Sequence, residues 1–222
     1  MLMYTNQHYL LYYQRIIKTL FYVLSTSQLP ANTKDLTLLG CGCGNGLILR
    51  EMLHLGFMPE NCQGFDANPL QIEMGKPLTP PTLNITLGHL PRTDWCGDFE
   101  RDITMSIGVF MFMRDTDKIV ESLANIRKVT KKGGLFLTVN THLSHLNAHD
   151  QTLRNFDFAS NELANLAAPY FTQEVLTPIS RAGNIYGPAS ALNSLEEFEQ
   201  ECLDVQLMKV PVTHFMSVMR AI

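Results

Sequence analysis

Residues 38–57 read LLGCGCGNGLILREMLHLGF, and from residue 40 glycine takes every second place, at Gly40, Gly42, Gly44 and Gly46, with Cys41, Cys43 and Asn45 between. An apolar run follows at once. A chain that strips its side chains where a strand hands over to a helix brings bare backbone close to something and aims helix N–H groups at it. A tight turn needing glycine only for packing would explain one such residue; four in alternation, followed by a clean helix, point to a ligand.

Working outward, the chain alternates strand and helix. DLTLLG (35–40) reads as a buried strand and LILREML (47–53) as a helix closing near Gly56. CQGFD (62–66) is a second strand with an acidic tip, followed by a helix through PLQIEMGK. LNITLG (83–88), RDITMSIG (101–108) and GGLFLTVN (133–140) read as strands three to five, with a helix over residues 116–130 before the fifth. This rhythm predicts an α/β fold with a parallel sheet between two helical layers. Leu10, Leu11, Ile16, Ile17, Leu20 and Phe21 recur at helical spacing, so residues 1–34 are expected to form an amphipathic helical cover rather than a signal peptide or membrane anchor.

Residues 141–190 are expected to be an irregular elaboration on the substrate side, with one helix over NELANLAAPY. A helix over 194–203 follows, opened by the capping box Ser194 and Glu197. VQLMKV and HFMSVMRAI are expected to close the chain as an antiparallel pair. The 222 residues read as a single domain.

Composition limits the partners. The chain is 45% hydrophobic and 17% charged, with a net charge of −4, which offers no general attraction to nucleic acid or to an acidic membrane face. Its five cysteines show no metal-clip spacing and suit reduced thiols in a cytoplasmic protein.

The spacing of the glycines narrows the ligand. No register of residues 40–46 supplies the dinucleotide fingerprint G-x-G-x-x-G. Gly42-Cys43-Gly44-Asn45-Gly46 instead resembles motif I of the class I S-adenosylmethionine-dependent methyltransferases, LDLGCGNG, with nine residues leading on to Gly56. GFDANPLQIEMGK is similar to the end of that family's second strand, ITLGHLP to its GD-x-LP region, and IRKVTKKGGLFLTV to RVLKPGGxLxI.

The resemblance implies a Rossmann-like three-layer sandwich with a mostly parallel seven-stranded sheet and an antiparallel C-terminal strand. It implies S-adenosyl-L-methionine as cofactor and a small molecule as methyl acceptor. Asp66 would hold the ribose hydroxyls, with Ala67 and Asn68 on the same edge. Gly88, His89 and Leu90 would meet the adenine, and Gly40, Cys41, Gly42, Gly44, Asn45, Gly46 and Ile107 would complete the cofactor set.

Two positions depart from the family pattern. Gly40 stands where an Asp or Glu helps to hold the methionine part of the cofactor, and His89 stands where an Asp meets the adenine amino group. A lost charge-assisted hydrogen bond is worth about 1.5–3 kcal/mol. These departures keep a second reading in view, a non-catalytic binder of S-adenosylmethionine or S-adenosylhomocysteine acting as sensor or partner. A nicotinamide-dependent oxidoreductase is a third, disfavoured by the absent fingerprint. A nucleic-acid methyltransferase is disfavoured because SIGV replaces an N/D-P-P-Y/F tetrapeptide after the fourth strand.

For the chemistry, His142, His145 and His149 would share one helical face, and with Asp150 they could hold a metal; His142 alone could act as general base; or all three could be polar surface on a loop. The last reading is the plainest, and His142 is the candidate catalytic residue. Phe110, Met111, Phe112 and Met113 are either an apolar wall for the substrate or core beneath the next helix.

Overall fold

The structure is a computed structural model that describes residues 7–27, 29, 32–93, 99–141, 161–180 and 212–222. Its strands are β1 (Leu38–Cys41), β2 (Cys62–Asp66), β3 (Asn84–Leu87), β4 (Arg101–Ile107), β5 (Thr130–Thr141), β6 (Phe171–Ser180) and β7 (Val212–Ala221). The helices are α1 (Gln7–Thr26), α2 (Leu47–His54), α3 (Pro69–Gly75), α4 (Thr116–Lys128) and α5 (Glu162–Ala167). The strands form one sheet in the order β3-β2-β1-β4-β5-β7-β6, and β7 runs antiparallel to both β5 and β6. This is the expected Rossmann-like arrangement.

The sheet is covered on both faces, which is why β1 is an unbroken apolar run instead of an alternating one. On one face Ile16, Leu20 and Val23 of α1 and Leu49 and Met52 of α2 pack on Leu38, Met105, Leu137 and Val218. On the other, Ile119, Leu123 and Ile126 of α4 and Leu163 and Ala167 of α5 pack on Leu39, Phe136 and Met219. Within this second layer Phe136 meets Phe110, edge-on at 6.3 Å, and Phe171 at 5.2 Å between ring centres.

Local chemistry sets the helix ends. Asn68 caps α3 by accepting from the Leu70 amide at 3.0 Å, with Pro69 in the first turn. Asp115 caps α4 at the Asp117 amide, and Arg127 in its last turn donates to the Ile222 and Thr130 carbonyls. Gly56, at φ 93°, stops α2 in the left-handed conformation.

At the opposite end of the sheet from the glycine loop, Asp102 joins three strands. It accepts from the Thr37 amide at 2.9 Å, the Thr37 hydroxyl at 2.7 Å and Lys131 Nζ at 2.8 Å. Burial alone would raise its carboxyl pKa, but these hydrogen bonds and the Lys131 charge outweigh it and hold the group below the usual carboxylate range.

The C-terminal half departs from expectation. VQLMKV lies outside the described residues, and the last strand pairs with β5 and with β6, the latter inside the stretch read as irregular. Pro178 in FTQEVLTPIS obscured it: proline argues against a central strand, yet β6 is the sheet edge, where a missing N–H is tolerated. Within that stretch residues 161–180 belong to the framework, because α5 buries Leu163 and Ala167 and β6 pairs with β7. The expected helix over 194–203 also lies outside the described residues.

Candidate functional site

The strand order reverses at β1, with β2 and β3 to one side and β4 to the other, so the crevice beyond the carboxyl ends of these strands is the natural ligand position. The glycine loop enters it. Gly42, Gly44 and Gly46 have φ values of 68°, 57° and 77°, a region costly for residues with a Cβ. The loop is fixed by Cys43 N donating to the Phe65 carbonyl at 2.8 Å and Gly46 N to the Cys43 carbonyl at 3.0 Å.

The three glycines differ in purpose. A Cβ on Gly42 would lie 2.4 Å from Val109 Cγ2, and one on Gly46 would lie 2.6 Å from Ile85 Cδ1, so both are demanded by packing. A Cβ on Gly44 would meet nothing closer than Gln71 Oε1 at 3.8 Å. Gly44 is the glycine that faces open space.

Asp66, at the tip of β2, is tied to that glycine. Its Oδ2 accepts from the Gly44 amide at 2.7 Å and its Oδ1 from the Asn68 amide at 2.8 Å. A carboxylate has about four acceptor positions. Each oxygen therefore keeps room to accept from a ligand while the two backbone bonds fix its direction.

Beside Asp66 opens a cleft of about 370 Å³ lined by Ala67, Leu87, Gly88, His89 and Arg92. The Nδ1 of His89 lies 3.1 Å from the Leu90 carbonyl oxygen. Because a carbonyl only accepts, Nδ1 carries the hydrogen in the neutral ring and Nε2 presents a lone pair.

The structure thus gathers Gly42, Gly44, Asn45, Gly46, Asp66, Ala67, Asn68, Gly88 and His89 around one crevice. Others of the expected set are built into the framework. Gly40 and Cys41 are strand residues, with the Cys41 side chain in the α4 layer of the core. Leu90 is also buried there, and Ile107 packs against the α1 side. The apolar tetrad divides, since Phe110 is core while Phe112 is 68% exposed. His142, and with it His145, His149 and Asp150, lies outside the described residues. Among the described residues no group of His, Cys, Asp or Glu is placed to hold a metal ion, and no helix is long and apolar enough to cross a membrane.

Three contributors escaped the sequence reading. Val109 covers Gly42, and nothing in its sequence context signals that. Arg50 donates from Nη1 to the Asn45 carbonyl at 2.6 Å, holding the outer limb of the loop. Gly75 closes α3 against the same carbonyl, where a Cβ would come within 2.4 Å of the oxygen. A glycine inside a helical run was the readable signal for that contact.

Neither Cys43 in the loop nor Cys62 at the start of β2 is activated as a nucleophile. Burial, and then the nearby Asp66 charge, push the Cys43 thiol up to about 12, and burial with Glu60 does the same for Cys62. Their role is packing.

Residues 39–138 match the family described as Methyltransferase domain. That stretch holds the glycine loop and Asp66, so the part of the chain that builds the crevice is similar to methyltransferase domains. Solved structures agree on the fold. A protein from Pyrococcus horikoshii OT3 superposes with a TM-score of 0.64 at 16% identity, over 95% of this chain and 91% of its own. An S-adenosylmethionine-dependent methyltransferase from Mesorhizobium loti gives 0.61 at 12% identity, over 86% and 93%. The geranyl diphosphate C-methyltransferase of Streptomyces coelicolor A3(2), solved with Mg2+, geranyl diphosphate and S-adenosyl-L-homocysteine, gives 0.62 at 11% identity, over 98% and 84%. No curated protein matches the sequence.

Proposed function

We propose that the chain is a methyltransferase that binds S-adenosyl-L-methionine in the crevice between the glycine loop and Asp66 and transfers its methyl group to a small molecule. The observation that carries the reading is the pair of hydrogen bonds from Gly44 N and Asn68 N to the Asp66 carboxylate. They preorganise an acceptor for a vicinal diol beside a loop whose open glycine admits close approach. The cleft at Ala67, Gly88 and His89 has the size and position for a purine, with His89 Nε2 able to accept from an exocyclic amino group.

The cofactor, when bound, supplies a methyl group on a sulfonium whose positive charge disperses as the methyl leaves. The work of the chain is to hold and orient the reactants and keep water out. Gly44 and Asp66 would fix the sugar, His89 the purine, and Val109 and Gly42 the wall near the reacting end. For an O–H or N–H acceptor, His142 is proposed as the base.

A small-molecule acceptor is supported by the net charge of −4 and by fold relatives such as the geranyl diphosphate C-methyltransferase. Calorimetric titration with S-adenosylhomocysteine, followed by methyl transfer to a panel of small acceptors, tests the reading. Micromolar binding with turnover of at least one acceptor supports it, and absence of binding at 100 micromolar protein (roughly a −5.5 kcal/mol floor) rejects it. His142→Ala is expected to lower kcat at unchanged cofactor affinity.

A further inference from the structure

Helix α3 and the 3-10 turn that follows it (Lys76–Leu78) lie along the glycine loop in step. Gly75 meets Asn45, where a Cβ would come within 2.4 Å of the carbonyl oxygen. One turn further on, Thr79 meets Gly46, with its Cγ2 3.6 Å from the place a Cβ would take. One turn back, Gln71 meets Gly44, with its Oε1 3.8 Å from the corresponding place. Residues four apart share a helix face, so each turn of this face advances along the loop by one residue.

The three contacts differ in chemistry. Gly75 brings no side chain, and Thr79 donates its hydroxyl to the Gly75 carbonyl. Gln71 brings a primary amide, which both donates and accepts, and it brings it to the one loop glycine that faces open space. The side chain is half-buried, between the loop and solvent.

The backbone beneath this amide is fixed to the acidic tip of β2. Gln71 N donates to the Asn68 carbonyl at 3.1 Å, and Asn68 N donates to Asp66 Oδ1 at 2.8 Å. Asp66 Oδ2 in turn accepts from Gly44 N at 2.7 Å. Asp66 and Gln71 therefore flank the same glycine, one at its amide and the other at its open side. Their chemistry is complementary, because a carboxylate only accepts. Each hydroxyl of a vicinal diol donates one hydrogen and also accepts on its oxygen. Asp66 meets the first need, and an amide NH2 beside the same glycine meets the second.

We propose that Gln71 is a cofactor-binding residue whose amide donates to one ribose hydroxyl of the adenosine while Asp66 accepts from the diol. The proposal rests on the cofactor reading above and deepens it. The sugar is then read by a donor and an acceptor together, and one hydroxyl counts for more than a carboxylate alone would make it.

The test is calorimetric titration of the full chain and two variants with S-adenosylhomocysteine and with its 2′-deoxy and 3′-deoxy analogues. Gln71→Leu keeps the bulk and helix propensity of the side chain and removes the amide. It is expected to bind S-adenosylhomocysteine about tenfold more weakly, the loss of one hydrogen bond. One deoxy analogue should weaken by the same factor, and the other, which lacks the hydroxyl that Gln71 meets, by less than about threefold. Gln71→Glu keeps the shape and the acceptor but loses the donor, and it should weaken S-adenosylhomocysteine at least as much as leucine does.

Equal weakening of all three ligands by Gln71→Leu overturns the proposal, since the side chain then shapes the loop and reads no hydroxyl. Wild-type affinity for S-adenosylhomocysteine in either variant overturns it as well. Both outcomes leave the cofactor reading intact, whereas a wild-type protein that binds none of the three ligands overturns both.

Discussion

The carboxylate of Asp66 and the backbone amide of Gly44, 22 residues apart in sequence, meet at 2.7 Å across the carboxyl ends of β2 and β1. This contact joins the two halves of the crevice, because the same carboxylate reaches on to Asn68 and so to the start of α3. Asp66→Ala removes both bonds and the acceptor for a ligand diol. It is expected to weaken S-adenosylhomocysteine binding by at least a hundredfold in calorimetry, with the far-UV spectrum of the fold unchanged. Asp66→Asn, which keeps the shape and loses the charge, falls between.

The glycines of the loop separate into two classes by experiment. Gly44→Val projects a side chain into open space and strains a φ of 57°, so ligand binding is expected to vanish at a modest stability cost. Gly42→Ala collides with Val109 at 2.4 Å and is expected to cost about 1–3 kcal/mol of stability by denaturant melts. Adding Val109→Ala restores part of that loss, whereas it leaves Gly44→Val unimproved.

His89 is expected to read the amino group of the purine through Nε2. Replacing the adenine of S-adenosylhomocysteine by hypoxanthine turns a donor into an acceptor, and the wild-type protein should bind this analogue about tenfold more weakly, the worth of one ordinary hydrogen bond. In His89→Ala the two ligands should bind alike. Equal binding by the wild type removes His89 from the site.

Asp102 makes stability depend on acid. Its folded pKa lies below the unfolded one, so its contribution is complete above the unfolded value of about 3.9 and disappears as pH falls through the folded value. Asp102→Asn is expected to lose about 1–3 kcal/mol at neutral pH. Melting curves of the two proteins should then draw together as pH falls below about 4 and meet once it is below the folded value, and a gap that does not narrow with acid would show that the carboxylate charge is not what stabilises.

The raised thiols give a simple chemical check. Cys43 and Cys62, both pushed up to about 12, should resist iodoacetamide at pH 8 in the folded protein and react on unfolding. Rapid labelling of Cys43 in the native state would mean that the glycine loop opens.

Much of this was written in the chain itself. The alternation of Gly40 to Gly46, the acidic tip at Asp66 and the rhythm of short apolar strands and helices determined the fold class, the five parallel strands before residue 142 and the polar half of the crevice. Such features are local: a φ of 57° favours glycine whatever surrounds it, and a strand buried on both faces needs apolar residues in series. What the tertiary structure alone decided depends on neighbours distant in sequence. Val109 against Gly42, the Arg50 and Gly75 grip on Asn45, and the approach of Gln71 to Gly44 are contacts between elements. The pairing of β7 with β6 was hidden for the same reason. An edge strand can hold Pro178, so the local pattern reads as a break, and only the position of that strand in the sheet makes it a strand.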